Sequence, residues 1–281
     1  MSHGIIGHPG GTLVDRAIEH LASGPVESTS LAQDVIGLGR VPTLVAERVA
    51  VALLGADPRI QRLSDGRWAL AQVRLGSPRL SDCAFAVVDI ETTGTRPGGG
   101  DRIVEIAIVA LVGSSIETVC HSLLDPERPI PRFASALTRI TESMVRGKPT
   151  FAEIADDVLG SLAGRVFVAH NVRFDWLFVA REMRSARDVV LEGPRLCTVD
   201  LARRLLPGLR SRNLDSVAAY FGIEIANRHR AADDAIATAK ALQRLLDLAR
   251  DRGAVTLADL RRLGRSRSRK RSALPRSTDT L

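Results

Sequence analysis

Three apolar stretches follow one another in the middle of the chain: AFAVVDI from Ala84, RIVEIAIVALV from Arg102 and IETVCHSLL from Ile116. Each is rich in residues that favour strands and is bounded by Gly or by Asp-Pro, the pattern of a strand meander. The apolar period then changes. Helical spacing covers 151–163, a short strand RVFVAH follows, and helical spacing returns over 174–185, 199–206, 214–221 and 231–250. Strands that must be covered by helices restrict residues 83–252 to an α/β layer structure.

The first 74 residues are patterned differently. Leu13, Ala17, Ile18 and Leu21 recur at helical spacing, a second helix is expected over 28–36, and a third opens at Pro42 and runs to Leu54. RIQRL and RWALA flank Ser64-Asp65-Gly66, and Asp-Gly between alternating runs signals a hairpin. Three helices and a hairpin describe a small winged-helix-like domain over 1–74. It serves either as a binding module for nucleic acid or a partner, or as a helical cap without a ligand; its third helix carries Glu47 and Arg48 but no basic face. Residues 75–82, with Leu75-Gly76-Ser77-Pro78-Arg79, read as a linker.

Net charge is +7, yet 261–281 alone hold eight basic residues and one acidic, leaving 31 of each sign before them. The basic character therefore belongs to the end of the chain, and 253–281 are expected to be a disordered basic tail. No stretch approaches the apolar length of a membrane span and MSHGIIGHPGG lacks the order of a signal peptide, so a cytoplasmic location and no membrane partner are expected. Cys83, Cys120 and Cys197 are odd in number and widely spaced, which points to packing rather than to a disulfide or zinc framework.

Chemistry is concentrated in three clusters. Asp89 ends the first strand and Glu91 follows two residues on, so both carboxylates project to one side of the sheet. Two close anions call for a cation between them, and hard oxygen ligands suit Mg²⁺ or Mn²⁺, although such a pair is also compatible with a capped strand end. Thr92-Thr93-Gly94 then turns the backbone and brings hydroxyls and amides near the site. In the second cluster, VAHNVRFD, Asp175 opens a helix where an acid is also favoured by the helix dipole. His170 reads as a strand-end histidine bonded to a loop rather than a metal ligand. Phe174 can stack on a base or be buried, and Thr92, Thr93, Asn171 and Phe174 are the candidate substrate contacts. In the third, HRAADDA, helical geometry would pair His229 with Asp233, so spacing alone does not choose between Asp233 and Asp234. A neutral histidine there can accept a proton from water near neutral pH.

The ordered series DIETTG, DRIVEIAIV, VAHNVRFDWLF, CTVDLARRLLPGLRSRNLDSVAAYFGI and HRAADDA, spread over about 84–248, resembles the DEDDh subgroup of DnaQ-like 3′-5′ exonucleases. The resemblance implies a ribonuclease H-like mixed sheet with flanking helices. It implies Asp89, Glu91, Asp175 and Asp234 as ligands of two divalent cations, His229 as the base, and Glu105 as a supporting residue; the five-residue spacing from the histidine selects Asp234 over Asp233. It also implies removal of nucleoside 5′-monophosphates from single-stranded 3′ ends, DNA favoured over RNA, with a DNA polymerase or repair proteins as partners. Two rivals stand beside it: an exoribonuclease, and a catalytically silent winged-helix protein that only holds nucleic acid. Arg139 stands where relatives commonly have Gly, and no glutamine-led clamp-binding motif is present.

Overall fold

The computed structural model describes residues 4–9, 12–21, 24–57, 59–70 and 77–264. The chain begins with β1 (Ile6–Pro9), then α1 (Leu13–Leu21), α2 (Ser28–Ser30) running into a π-helical segment Leu31–Val35, and α3 (Thr43–Leu54). An antiparallel hairpin follows, β2 (Ile60–Arg62) and β3 (Trp68–Leu70), with Gly66 at φ +87° in the turn that Asp65-Gly66 marks. The three helices and the hairpin close on a core of their own, including Ile18, Leu21, Leu31, Leu54, Ile60 and Trp68. The indole N–H of Trp68 donates to Ser28 Oγ at 3.0 Å, so the one polar atom of that buried side chain is satisfied.

The body contains β4 (Ala84–Thr92), β5 (Ile103–Val112), β6 (Ser115–Leu123), α4 (Arg132–Thr138), α5 (Glu142–Val145), α6 (Phe151–Leu162), β7 (Val166–Ala169) and α7 (Val172–Arg187). It continues with β8 (Val189–Glu192), β9 (Arg195–Cys197), α8 (Thr198–Leu205), α9 (Leu214–Tyr220), α10 (Ala231–Asp251) and α11 (Leu257–Gly264). The central sheet has the order β6-β5-β4-β7-β9, antiparallel from β6 to β4 and parallel from β4 to β9, which is the expected mixed sheet with flanking helices. Strand alternation divides the core. Phe85 and Val87 face α8, α10 and α11, whereas Ala86, Val88 and Ile90 face α6 and α7. Asp89 and Glu91 continue the first series past the point where the core ends. A capping box starts α6, with Thr150 N donating to Glu153 Oε2 at 2.7 Å and Glu153 N to Thr150 Oγ1.

Two boundaries differ from the sequence reading. β1 leaves the N-terminal module and pairs antiparallel with β8, with Ile5 fully buried in the body. A four-residue strand written IGHP in a Gly- and Pro-rich stretch carries no periodicity to announce it. Residues 253–264 are not tail: Leu257 and Leu260 are buried in the main core, the latter at 0% exposure. The apolar spacing of LADLRRLG was hidden by the arginines that follow it. Its approach also pins residues 77–82, since Ala258 N donates to Ser77 Oγ at 2.7 Å, Leu257 N to Pro78 O at 3.0 Å and Leu80 N to Val255 O at 2.9 Å. That part of the expected linker belongs to the body. Residues 75–76 and 265–281 lie outside the described residues. Among the described residues no helix is long and apolar enough to cross a membrane.

Candidate active site

The central strand β4 carries Asp89 and Glu91 at its C-terminal end, where a register shift between Glu91 and Thr92 turns the chain away. The loop that follows is tightly tied. Thr92 Oγ1 donates to the Gly94 carbonyl at 2.6 Å; Thr93 Oγ1 accepts from Arg102 N at 3.0 Å and donates to Asp101 at 3.4 Å. A Cβ on Gly94 would collide with the Asp101 carboxylate, so a larger residue there would have to displace the side chain that holds the loop. The two hydroxyls expected to face substrate are thus used to hold the loop, and Thr93 is fully buried.

At the end of β7 the backbone enters α7 through Asn171, left-handed at φ +93°, whose exposed side chain does not cap the helix. Asp175 is no surface capping acid. It is buried, and its charge is one of those that raise the pKa of Asp89, which places the start of α7 beside the end of β4. Phe174 is half-buried, its ring 5.0 Å from that of Phe178 at the edge of the core. His170 behaves as the strand-end histidine expected: Nδ1 is 2.8 Å from Thr198 Oγ1 and Nε2 is 2.8 Å from the Arg212 carbonyl. Burial pushes its pKa down, which favours the neutral ring.

In the third cluster the two aspartates are placed differently. His229 has φ +60° and precedes α10, with Arg230 at the N-cap, so it is not in helical phase with Asp233. Asp233 points to the surface side and accepts from the Asn227 amide at 2.9 Å. Asp234 is 3% exposed, and its Oδ2 accepts from the His229 backbone N–H at 3.2 Å and from the Arg228 guanidinium. Glu91, His229 and Asp234 offer ligand atoms that lie within 4.8 Å of one another.

Glu105 explains why the loop lands there. It is paired in register with Glu91 across β4 and β5, is fully buried, and accepts from Arg230 at 2.9 and 3.0 Å and from the Ala231 N–H at 3.1 Å. His121 Nε2 lies 2.9 Å from its other side. Burial opposes its charge, but the bonds from His121, Arg230 and Ala231 hold its pKa down to about 2. Glu105 therefore stays anionic and staples the N-terminus of α10 to the sheet. Arg228, Arg230 and His121 were not singled out by sequence; the only signal was the Arg-His-Arg run around His229.

The neighbouring acids have the opposite fate. Glu91 is pushed up to about 7 by burial and by the charges of Asp234 and Glu105. Asp89 is raised by burial and then by Asp175, Asp234 and Glu91, and Asp175 by burial with Glu91 adding to it. Asp234 is raised by burial, against the pull of Arg228. Four carboxylates that disfavour one another's charge make a site for hard cations, which restore the anionic forms. Asp234 Oδ1 is buried and has no hydrogen-bond partner among the described residues, as a ligand atom held for such an ion would be.

Known proteins share this arrangement of elements. Residues 86–242, more than half of the chain, match the exonuclease family model RNase_T. A PolC-type DNA polymerase III of Thermotoga maritima is 34% identical over 207 residues, 74% of this chain and 14% of that protein. A 3′-5′ exonuclease DinG of Bacillus subtilis is 35% identical over 179 residues, 64% of this chain and 19% of that one. The chain thus spans less than a fifth of either relative. A solved structure of exonuclease X in complex with 5′ overhanging duplex DNA superposes with a TM-score of 0.51 and 29% identity, covering 64% of this chain and 99% of that one. The mixed sheet, the acidic cluster at the end of its central strand and the match over 86–242 agree, and the chain belongs to the RNase_T exonuclease family, with relatives among the 3′-5′ exonucleases.

Proposed function

We propose that the chain is a metal-dependent 3′-5′ exonuclease that releases nucleoside 5′-monophosphates from nucleic-acid 3′ ends, with DNA the favoured substrate. The observation that carries this reading is the convergence of Glu91, His229 and Asp234 within 4.8 Å at the strand end that also bears Asp89, with Asp175 buried beside it. In this reading Asp89 would hold both of two divalent cations, Mg²⁺ or Mn²⁺, Glu91 and Asp234 one of them and Asp175 the other. When bound, such ions neutralise the scissile phosphate and stabilise the attacking and leaving oxygens. His229 takes the proton of the attacking water as its oxygen bonds to phosphorus and the bond to the 3′ oxygen breaks. Glu105, through Arg230 and the Ala231 amide, holds the loop that sets the imidazole in place. The Thr92-Thr93-Gly94 loop contributes shape, while Asn171 and Phe174 border the site from α7.

DNA is favoured by two of the similar proteins, a DNA polymerase and an exonuclease in complex with DNA. The same five residues would serve an exoribonuclease, so the test is a panel of 5′-labelled single-stranded DNA, duplex DNA with a mismatched 3′ end, and RNA. DNA shortened faster than RNA supports the reading; RNA alone shortened would replace it with the ribonuclease. Work alongside a DNA polymerase or repair proteins belongs to the same proposal. We read 12–70 as an accessory module rather than the nucleic-acid grip, because α3 turns Leu44, Val45 and Val51 to solvent beside Glu47 and Arg48, without a row of cations. Sequence-independent affinity is assigned to the basic residues 265–281. Removing them should weaken DNA binding and lower the salt slope by about 0.7–0.9 for each phosphate no longer neutralised, with little change in turnover at saturation. An unchanged slope would leave these residues with no part in binding.

A further inference from the structure

The two arginines flanking His229 are anchored differently. Arg230 forks onto Glu105, a carboxylate with no exposure. Arg228 divides its guanidinium, Nη1 donating to Asp234 in the acidic cluster and Nε to Asp215 on α9 at 2.6 Å. Asp215 is 57% exposed and Arg228 itself 30%, so this second anchor is a surface pair that contributes little. Arg228 sits at the rim, in contact with a carboxylate that the proposed metal site also uses.

Asp234 presents its two oxygens differently. Its Oδ2 is occupied by Arg228 and the His229 amide, while Oδ1 has no partner among the described residues. A divalent cation on Asp234 would stand a few ångströms from the guanidinium, and repulsion between such charges in a partly buried site outweighs the orienting value of one hydrogen bond. Metal and Arg228 therefore compete for the same negative charge. A guanidinium released at the rim has a planar fork that matches a phosphate, the anion that arrives with the substrate.

We propose that Arg228 is a phosphate-binding residue that supplies the missing positive charge to Asp234 in the metal-free protein and turns to the nucleic-acid phosphate when metal loads. Metal and nucleic acid then favour each other's binding through one side chain. The inference rests on the metal-dependent reading above.

The test uses the full chain with Arg228→Gln and Arg228→Lys, and Mn²⁺ alone as the probe. Free Mn²⁺ is followed by electron paramagnetic resonance with no nucleic acid present. Arg228→Gln should bind Mn²⁺ about tenfold more tightly than wild type, while Arg228→Lys, which keeps the charge, should stay close to it. On single-stranded DNA at saturating Mn²⁺, Arg228→Gln should raise KM more than it lowers kcat, and its salt slope should fall by about 0.7–0.9, the share of one phosphate. Opposite effects on the two ligands are what a purely structural residue would not give. Mn²⁺ binding by Arg228→Gln that equals wild type or is weaker overturns the competition, with the nuclease reading intact. A wild-type chain that binds no Mn²⁺ overturns the nuclease reading itself, and the proposal with it.

Discussion

Asp234→Asn should cut turnover of short single-stranded DNA by about 10³-fold or more, since it removes one negative ligand from a site where bound metal is worth several kcal/mol to the transition state. Asp233→Asn, one residue away, should stay within about threefold of wild type, the scale of a surface change distant from the reacting atoms. The contrast comes from geometry. Asp234 is buried against Glu91 and the His229 amide, whereas Asp233 bonds outward to Asn227. Mn²⁺ affinity should fall with Asp234→Asn and persist with Asp233→Asn, with circular dichroism unchanged in both. A dead Asp233→Asn beside an active Asp234→Asn would assign the site to the wrong aspartate.

His229→Ala separates proton transfer from metal holding. Loss of a general base costs on the order of 10² to 10⁴ in rate, and that loss is expected here with Mn²⁺ affinity kept within about threefold of wild type. The imidazole lies close enough to Glu91 and Asp234 to be a ligand itself. A variant that loses Mn²⁺ binding together with turnover would make His229 a ligand and leave the base to be found elsewhere.

What sequence could show depended on how local the physics is. β4 was legible because AFAVVDI is apolar on both faces, as a central strand covered by two helix layers must be. The hairpin was legible because Asp65-Gly66 states its turn chemistry. β1, β8 and β9 were not, since three- and four-residue strands have no measurable period and β1 finds its partner far along the chain, Ile6 beside Glu192. The choice of Asp234 could not follow from spacing, because the left-handed backbone of His229 breaks the helical phase on which the i to i+4 pairing with Asp233 depends. Glu105 was visible as an acid inside an apolar strand and, through the resemblance, as a supporting residue without a stated contact. Its two partners on the third motif are 125 and 126 residues distant, so its role as a staple emerges only with the fold.

Arg139 shows the same limit from the other side. It closes α4 in the left-handed conformation at φ +59°, with its N–H donating to Ser135 O at 2.9 Å. That backbone is the physical reason a glycine suits the position. A side chain there costs about 1–2 kcal/mol, and the chain keeps the conformation nonetheless.

Polarity and metal dependence are measured together on a 3′-labelled oligonucleotide. With Mg²⁺ or Mn²⁺ the label should leave at once as a nucleoside 5′-monophosphate, a 3′-phosphate should block the reaction, and EDTA should abolish it while weak DNA binding persists. Full activity in thoroughly chelated buffer, or shortening that begins at the 5′ end, would contradict the assignment of Asp89, Glu91, Asp175, His229 and Asp234 to a metal-dependent 3′-5′ exonuclease.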